Sequence, residues 1–244
     1  SLMFKMACDT PFGKVSIWLR TDLIYRSDDL PTDRYMAVEG ANGLIAAVAD
    51  AHSLEAAGDK ILMPLSDGRL PGPYRGAVAL DGNLTIDLLS QMAHSPLLAQ
   101  ADLRVAPASP GKALRLAPFV QSSRGTLYVN LEEAGLLCQT VFDTSHTAAR
   151  QLLARGAARV VITDGGNPAT VADATGSLTQ TPPPVHVTRV TGAGDTFMAA
   201  HIAAERTGAA GVQCKRRTVK NLIILTAHHV EVDQRQIGFD HPRD

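Results

Sequence analysis

Cysteine is scarce and scattered in this chain of 244 residues. Cys8, Cys138 and Cys214 lie far apart, with no Cys-x-x-Cys pair. That excludes a disulfide framework and a structural zinc site, and it points to a reducing, cytoplasmic setting. An excess of charge is also missing: 23 Lys and Arg stand against 24 Asp and Glu. Such a balance leaves no nucleic-acid footprint and no polybasic patch for a membrane surface. No apolar run approaches the ~20 residues of a bilayer span. The opening Ser1-Leu2-Met3 shows no charged stretch leading into an apolar signal segment. Repeats are absent, and Thr181-Pro182-Pro183-Pro184 is a stiff extended connector rather than a domain linker. What the chain does have is apolar residues, 45% of the total, enough for a sizeable core in one domain spanning 1–244.

Short β-branched or apolar segments bounded by turn residues predict buried strands at Tyr35 to Val38, Gly43 to Val48, Gly76 to Leu80, Leu103 to Val105, Thr126 to Val129 and Arg159 to Thr163. Helical spacing marks Leu84 to Ala93, Ser145 to Ala157, Phe197 to Arg206 and Val219 to His229. Asp143, Thr144 or Ser145 is placed to cap the second of these, and Gly208 to end the third. Strands alternating with helices at this pitch predict a doubly wound, mostly parallel α/β sheet. The stretch from about 20 to 50 departs from that rhythm. It carries strand signals around Gly40-Ala41-Asn42-Gly43 without long helices, and predicts a small β excursion outside the main sheet.

The stretch Thr191-Gly192-Ala193-Gly194-Asp195-Thr196-Phe197 precedes a helix of small residues. Consecutive N–H groups at a helix start, with the helix dipole behind them, make an anion site, and the glycines let a bulky anion reach the backbone. A carboxylate beside a bound anion is unfavourable unless it takes a proton. A base next to an anion hole suits phosphoryl transfer. The same Asp195 also fits an ordinary helix start, where it favours the dipole by ~0.3–1 kcal/mol. The pattern is not a P-loop, because no Lys follows. Nor is it GxGxxG, because Phe197 occupies the third glycine position.

TGAGD followed by a small-residue helix resembles the signature of the ribokinase-like (PfkB) family of carbohydrate and nucleoside kinases. The resemblance implies Asp195 as catalytic base, and the backbone of Gly192, Ala193 and Gly194 as the anion hole beside Thr191 in the nucleotide site. Asn130-Leu131-Glu132-Glu133 is similar to the family's Asn-x-x-Glu, which implies that Asn130 and Glu133 place Mg²⁺ and phosphates, Glu133 mostly through water. On residues alone, the same spacing is a helix N-cap with Glu at the third helical position. Thr163-Asp164-Gly165-Gly166 resembles the family's nucleotide loop, implying Thr163 and Gly165 beside ATP; alone it is a turn. Cys8-Asp9-Thr10-Pro11-Phe12-Gly13 resembles an early family motif, with Cys8 where Gly is usual and Thr10 where a second Asp often sits. The later pieces fall in the family's order. The implied fold is ribokinase-like with a small β lid, and the implied cofactors are ATP and Mg²⁺.

Three departures stand out. Arg189 occupies a place where the family usually has Asp or Asn. The family's opening strand, substrate-gripping Asp and Gly-Gly turn are not visible before Cys8, so that part of the fold is expected to be missing or unlisted. The end, Gln236 to Asp244, is short and irregular. Within the family, Tyr35 to Val38, Leu44 to Asp50, Leu80 to Leu84 and Pro107 to Ala113 resemble pseudouridine kinases. That implies transfer of the γ-phosphoryl group of ATP to the 5′-hydroxyl of pseudouridine, a small-molecule partner, and by analogy a homodimer through the lid. Asp50, Asn83 and Lys112 read as structural before substrate-binding, with Lys112 a solvated helix-start lysine. The adjacent His228 and His229 point to different helix faces and do not share an ion. A general kinase for ribose, fructose or a related sugar stays open, as does a catalytically silent binding homologue. A dinucleotide-dependent oxidoreductase is disfavoured by the missing third glycine.

Overall fold

The computed structural model describes residues 3–10, 13–40, 43–184 and 192–206, with the backbone alone in 3–20, 39–40 and 43–44. Two hairpins come first. Strand β1 (Met3–Thr10) runs antiparallel to β2 (Gly13–Arg20), with Thr10 opposite Gly13, so Cys8, Asp9 and Thr10 of the early motif end one strand and Gly13 begins the next. Strand β3 (Tyr35–Gly40) pairs with β4 (Gly43–Ala49) in a separate two-stranded sheet, broken in register between Val38 and Glu39. This is the β excursion expected between 20 and 50. Tyr35, Met36, Val38, Ile45 and Val48 on it are exposed, so these two strands are not the buried ones expected: a two-stranded sheet leaves its faces uncovered by further strands.

Helices α1 (His52–Ala57) and α2 (Met63–Ser66) lead into the main sheet. There β5 (Ala77–Asp81), α3 (Ile86–His94), β6 (Asp102–Ala106), α4 (Ala117–Gln121), β7 (Thr126–Asn130), α5 (Leu131–Cys138), α6 (Ser145–Ala154) and β8 (Arg159–Asp164) follow in order. Strands β9 (Asn167–Asp173) and β10 (Gly176–Gln180) come next, then α7 (Ala193–Arg206). The six strands lie in the order β10-β9-β8-β7-β6-β5. Strands β5 to β8 are parallel, and β9 and β10 are antiparallel additions. The mostly parallel sheet flanked by helices is the fold expected.

Alternation along the strands divides the two faces. Leu103, Val105, Leu127, Val129, Val160 and Ile162 point to one side and pack with Leu89 of α3, Phe119 of α4, Leu137 of α5 and Leu152 of α6. Tyr128, Val161 and Val171 point to the other and meet Phe197 and Met198 of α7. This period of two is the pleat of a strand buried on both faces. Local chemistry sets the helix starts. The Thr85 hydroxyl accepts from Leu88 N, and that of Thr144 from Thr147 N, each satisfying an orphan donor.

Four further differences from expectation stand out. The β9–β10 hairpin was not anticipated, because Pro168 and the polar residues around it blur the period. Nor was β1–β2. Helix α6 ends at Ala154 rather than Ala157, since Gly156 takes a φ of +111°. Helix α7 begins at Ala193, not Phe197: packing of Phe197 and Met198 holds a first turn that propensity alone disfavours. The helix expected at Val219 to His229 lies outside the described residues, as do Cys214, Gly208, His228, His229 and the chain end from Gln236.

Candidate active site

The four parallel strands end on one edge of the sheet, at Asp81, Ala106, Asn130 and Asp164. Open α/β sheets bind ligands outside this edge. Helix α7 crosses the sheet antiparallel to the strands. Its last turn holds Glu205, whose carboxylate takes 2.5 Å from Arg159, the first residue of β8. Its first turn holds Asp195, which feels the charge of Asp81 at the far end of β5. The helix therefore delivers its N-terminus to the strand-end edge.

At that N-terminus the Gly192 carbonyl accepts from Thr196 N at 3.0 Å and from the Thr196 hydroxyl at 2.8 Å. The N–H groups of Ala193, Gly194 and Asp195 come before the first helical donor, so the helix gives them no acceptor. Gly192 has a φ of +83°, a left-handed conformation that favours glycine. A Cβ added at Gly192 or Gly194 would meet no atom of the described residues within 4 Å. Asp195 is exposed by area, yet the protein around it strips part of its hydration. That desolvation, and then the Asp81 charge, push its carboxyl above the usual range.

Asn130 and Glu133 form a reciprocal cap at the start of α5. The Asn130 Oδ1 accepts from Glu133 N, and Glu133 Oε2 from Asn130 N, both at 2.8 Å. The helix-cap reading of the spacing is what the structure shows, and the capping box holds the carboxylate at the strand edge. Glu133 is 8% exposed, and burial raises its carboxyl pKa against the pull of the Asn130 N–H. Thr163 faces Asn130 in register across β7 and β8, at an irregularity before Asp164. Gly165, with φ +52°, and Gly166 form the turn into β9, so the expected nucleotide loop is a hairpin turn at the same edge. Thr191 and Arg189 lie outside the described residues. Among the described residues, no group of three or more His, Cys, Asp or Glu side chains encloses a metal ion. Buried Glu133 fits a cation met through water, which Mg²⁺ accepts because it keeps much of its hydration.

Asp81 was missed by the motif reading. Its signal was available, however, as an acid directly after a buried strand. Its Oδ1 accepts from Asn83 N and its Oδ2 from Asn83 Nδ2, both at 2.9 Å. Asn83 Oδ1 in turn takes 2.5 Å from Lys112 Nζ, so Lys112 is bound rather than solvated. Asp50 accepts from the His52 backbone and ring in a local turn.

A match to the pfkB family of carbohydrate kinases spans residues 79–220. The chain belongs to this family. Kinases of the pfkB family are phosphotransferases with alcohol acceptors and use ATP, generally with Mg²⁺. No curated protein sequence matches this pfkB-family chain. Solved structures do. A carbohydrate kinase from Agrobacterium tumefaciens superposes with a TM-score of 0.65 at 22% identity, over 84% of this chain and 64% of the other. Ribokinase from Thermotoga maritima gives 0.66 at 17%, over 83% and 64%. The adenosine kinase of Trypanosoma brucei brucei gives 0.63 at 15%, over 84% and 67%. These likenesses establish the ribokinase-like fold. The chain spans about two thirds of the length of these structures, 64% in the first. No helix among the described residues is long and apolar enough to cross a membrane.

Proposed function

We propose that this chain transfers the γ-phosphoryl group of ATP to a hydroxymethyl group of a nucleoside or sugar, with pseudouridine as the first acceptor to test. The observation that carries the reading is the first turn of α7, where a carboxyl of raised pKa stands beside three backbone donors without helical acceptors. Asp195 accepts the proton of the attacking hydroxyl. A base works best with a pKa lifted toward the operating pH, as partial desolvation and Asp81 lift this one. The N–H groups of Ala193 and Gly194, with that of Asp195 behind them, steady charge on the transferring group, and Gly192 opens the approach. When bound, ATP supplies the phosphoryl group and Mg²⁺ the neutralising charge.

Glu133 holds its carboxylate at the strand edge through the cap with Asn130, and its Oε1 is the oxygen left to order a hydrated cation. Thr163, Gly165 and Thr191 line the nucleotide. The β3–β4 hairpin covers the acceptor as a lid, excluding water that would otherwise take the phosphoryl group. Its exposed Met36, Val38, Ile45 and Val48 also suit a lid-to-lid homodimer. A cytoplasmic setting fits the scattered cysteines, of which Cys138 is buried and free.

The experiment is ADP release from Mg·ATP with pseudouridine, uridine, ribose and fructose side by side. Release with pseudouridine alone supports the whole reading. Release with a sugar keeps the mechanism and replaces the acceptor. Silence across the panel in folded protein removes the kinase reading and leaves a binding homologue.

A further inference from the structure

We propose that Arg115 is a positioning residue for the acceptor: it locks the loop after β5, which carries Asp81, to the helix that follows the β3–β4 hairpin. The proposal rests on the kinase reading, because a hydroxyl that gives its proton to Asp195 must sit where Asp81 also acts.

The loop Gly82-Asn83-Leu84 has an unmet need. The first bond of α3 uses the Thr85 carbonyl, accepting from Leu89 N, so the three carbonyls before it have no helical donor. Arg115 supplies one. Its Nη1 lies 3.2 Å from the Gly82 oxygen, 3.3 Å from that of Asn83 and 3.2 Å from that of Leu84. The same nitrogen donates to Glu55 Oε1 of α1 at 2.9 Å. On the opposite side Gly82 N donates to the Ala106 carbonyl at 2.9 Å, and a Cβ at Gly82 would overlap the Pro107 carbonyl oxygen. The loop is gripped from both sides. Its geometry fixes Asp81, whose two oxygens accept, among the described residues, from the backbone and side chain of Asn83.

The grip extends to the hairpin. Asp33, two residues before β3, accepts from Ser53 N at 2.8 Å and from Leu54 N at 2.9 Å in α1. Asp50 N, just after β4, donates to the Arg34 carbonyl at 2.8 Å. A continuous set of hydrogen bonds thus runs from the base of the hairpin through α1, Glu55 and Arg115 to the loop bearing Asp81. A lid that closes on an acceptor meets, through Arg115, the loop beneath that acceptor.

The test uses the full chain and the panel member with the fastest ADP release. In Arg115→Ala, KM for the acceptor should rise about tenfold while KM for ATP stays within about twofold. Arg115→Lys should restore part of the loss, since one ammonium reaches some of the carbonyls. Glu55→Gln should raise the acceptor KM less, and the Glu55→Gln, Arg115→Ala pair no more than Arg115→Ala alone, as coupled residues do. An unchanged acceptor KM, or equal rises for acceptor and ATP, would overturn the proposal. Hydrogen exchange reads the lock without turnover. Faster exchange in Arg115→Ala at both 79–86 and 52–57, with 145–154 unchanged, supports it; unchanged exchange at both overturns it. A silent wild type removes the kinase reading, and exchange alone then decides whether Arg115 holds the loop.

Discussion

The two faces of the sheet are built from different materials. Under α3 to α6 the contact is almost wholly apolar, with Leu89, Phe119 and Leu152 fully buried. Under α7, among the described residues, the apolar contact is small and charged groups stand beside it. Arg104 Nη1 donates to Glu205 at 2.6 Å and to the Tyr128 hydroxyl at 3.0 Å, while its Nε and Nη2 hold Asp102 at 2.7 Å. The Tyr128 hydroxyl meets His201 Nδ1 at 2.7 Å. Burial pushes Tyr128 up to about 12 and His201 down to about 4, so both are neutral near pH 7. Apolar packing is tolerant of small slides, whereas hydrogen bonds and ion pairs have direction. The apolar face supplies stability, and the polar face fixes the rotation and register of the helix that carries Asp195.

The largest expected effect lies on the α7 side. Asp195→Asn should lower kcat by ~10²–10⁴ with ATP binding retained. An acid with a raised folded pKa binds its proton more readily when native, so the ionised form subtracts stability above that range. The Asn variant should therefore melt no lower than wild type. In the wild type the acid limb of kcat should fall above the ordinary carboxylate range. Near-normal turnover in the variant would remove Asp195 from the mechanism. On the other face, Phe119→Ala should cost about 3–5 kcal/mol of stability. Below its melting point the variant should keep its kinetic constants; a selective loss of kcat in folded protein would break the division between faces.

A third effect sharpens the contrast by pH. His201 falls from 6.5 to about 4 on folding, so the unfolded chain binds the extra proton between those values. Stability should be complete above 6.5 and fall as pH drops toward 4, by on the order of 3 kcal/mol from this group. Glu205 opposes that shift, while Arg159 and Arg104 support it. Urea midpoints at several pH values should slope less in His201→Gln; an unaltered slope would assign the loss elsewhere. The smallest effect is Gly192→Ala. Among the described residues no atom obstructs its Cβ, so the left-handed backbone should cost about 1–2 kcal/mol. A matching fall in kcat would mark displaced backbone donors.

The two faces were unequally legible. Strands β5 to β8 could be read because burial on both sides leaves short runs such as Thr126 to Val129, bounded by turn residues. The run Asp143, Thr144, Ser145 announced the start of α6, and the structure selects Thr144 as its cap. Asn130 and Glu133 carried two meanings in one spacing, and the structure shows the first of them, the capping box. Arg104 gave no sign of its place, since a lone Arg in a strand is ordinary until Glu205, 101 residues away, is brought beside it. Asp81 hid for the same reason: its effect on Asp195 comes from folding, not spacing. The early start of α7 was masked by glycines with poor helical propensity, overruled by packing behind them.

Gly82 has a consequence for anyone redesigning this chain. With the Pro107 oxygen where a side chain would begin, position 82 accepts no substitution without moving β6 or the loop. A library aimed at a new acceptor gains nothing by randomising it, and clones mutated there should be sparse among active survivors. Diversity belongs at the neighbouring Asn83, whose amide already reads the carboxylate on one side and Lys112 on the other.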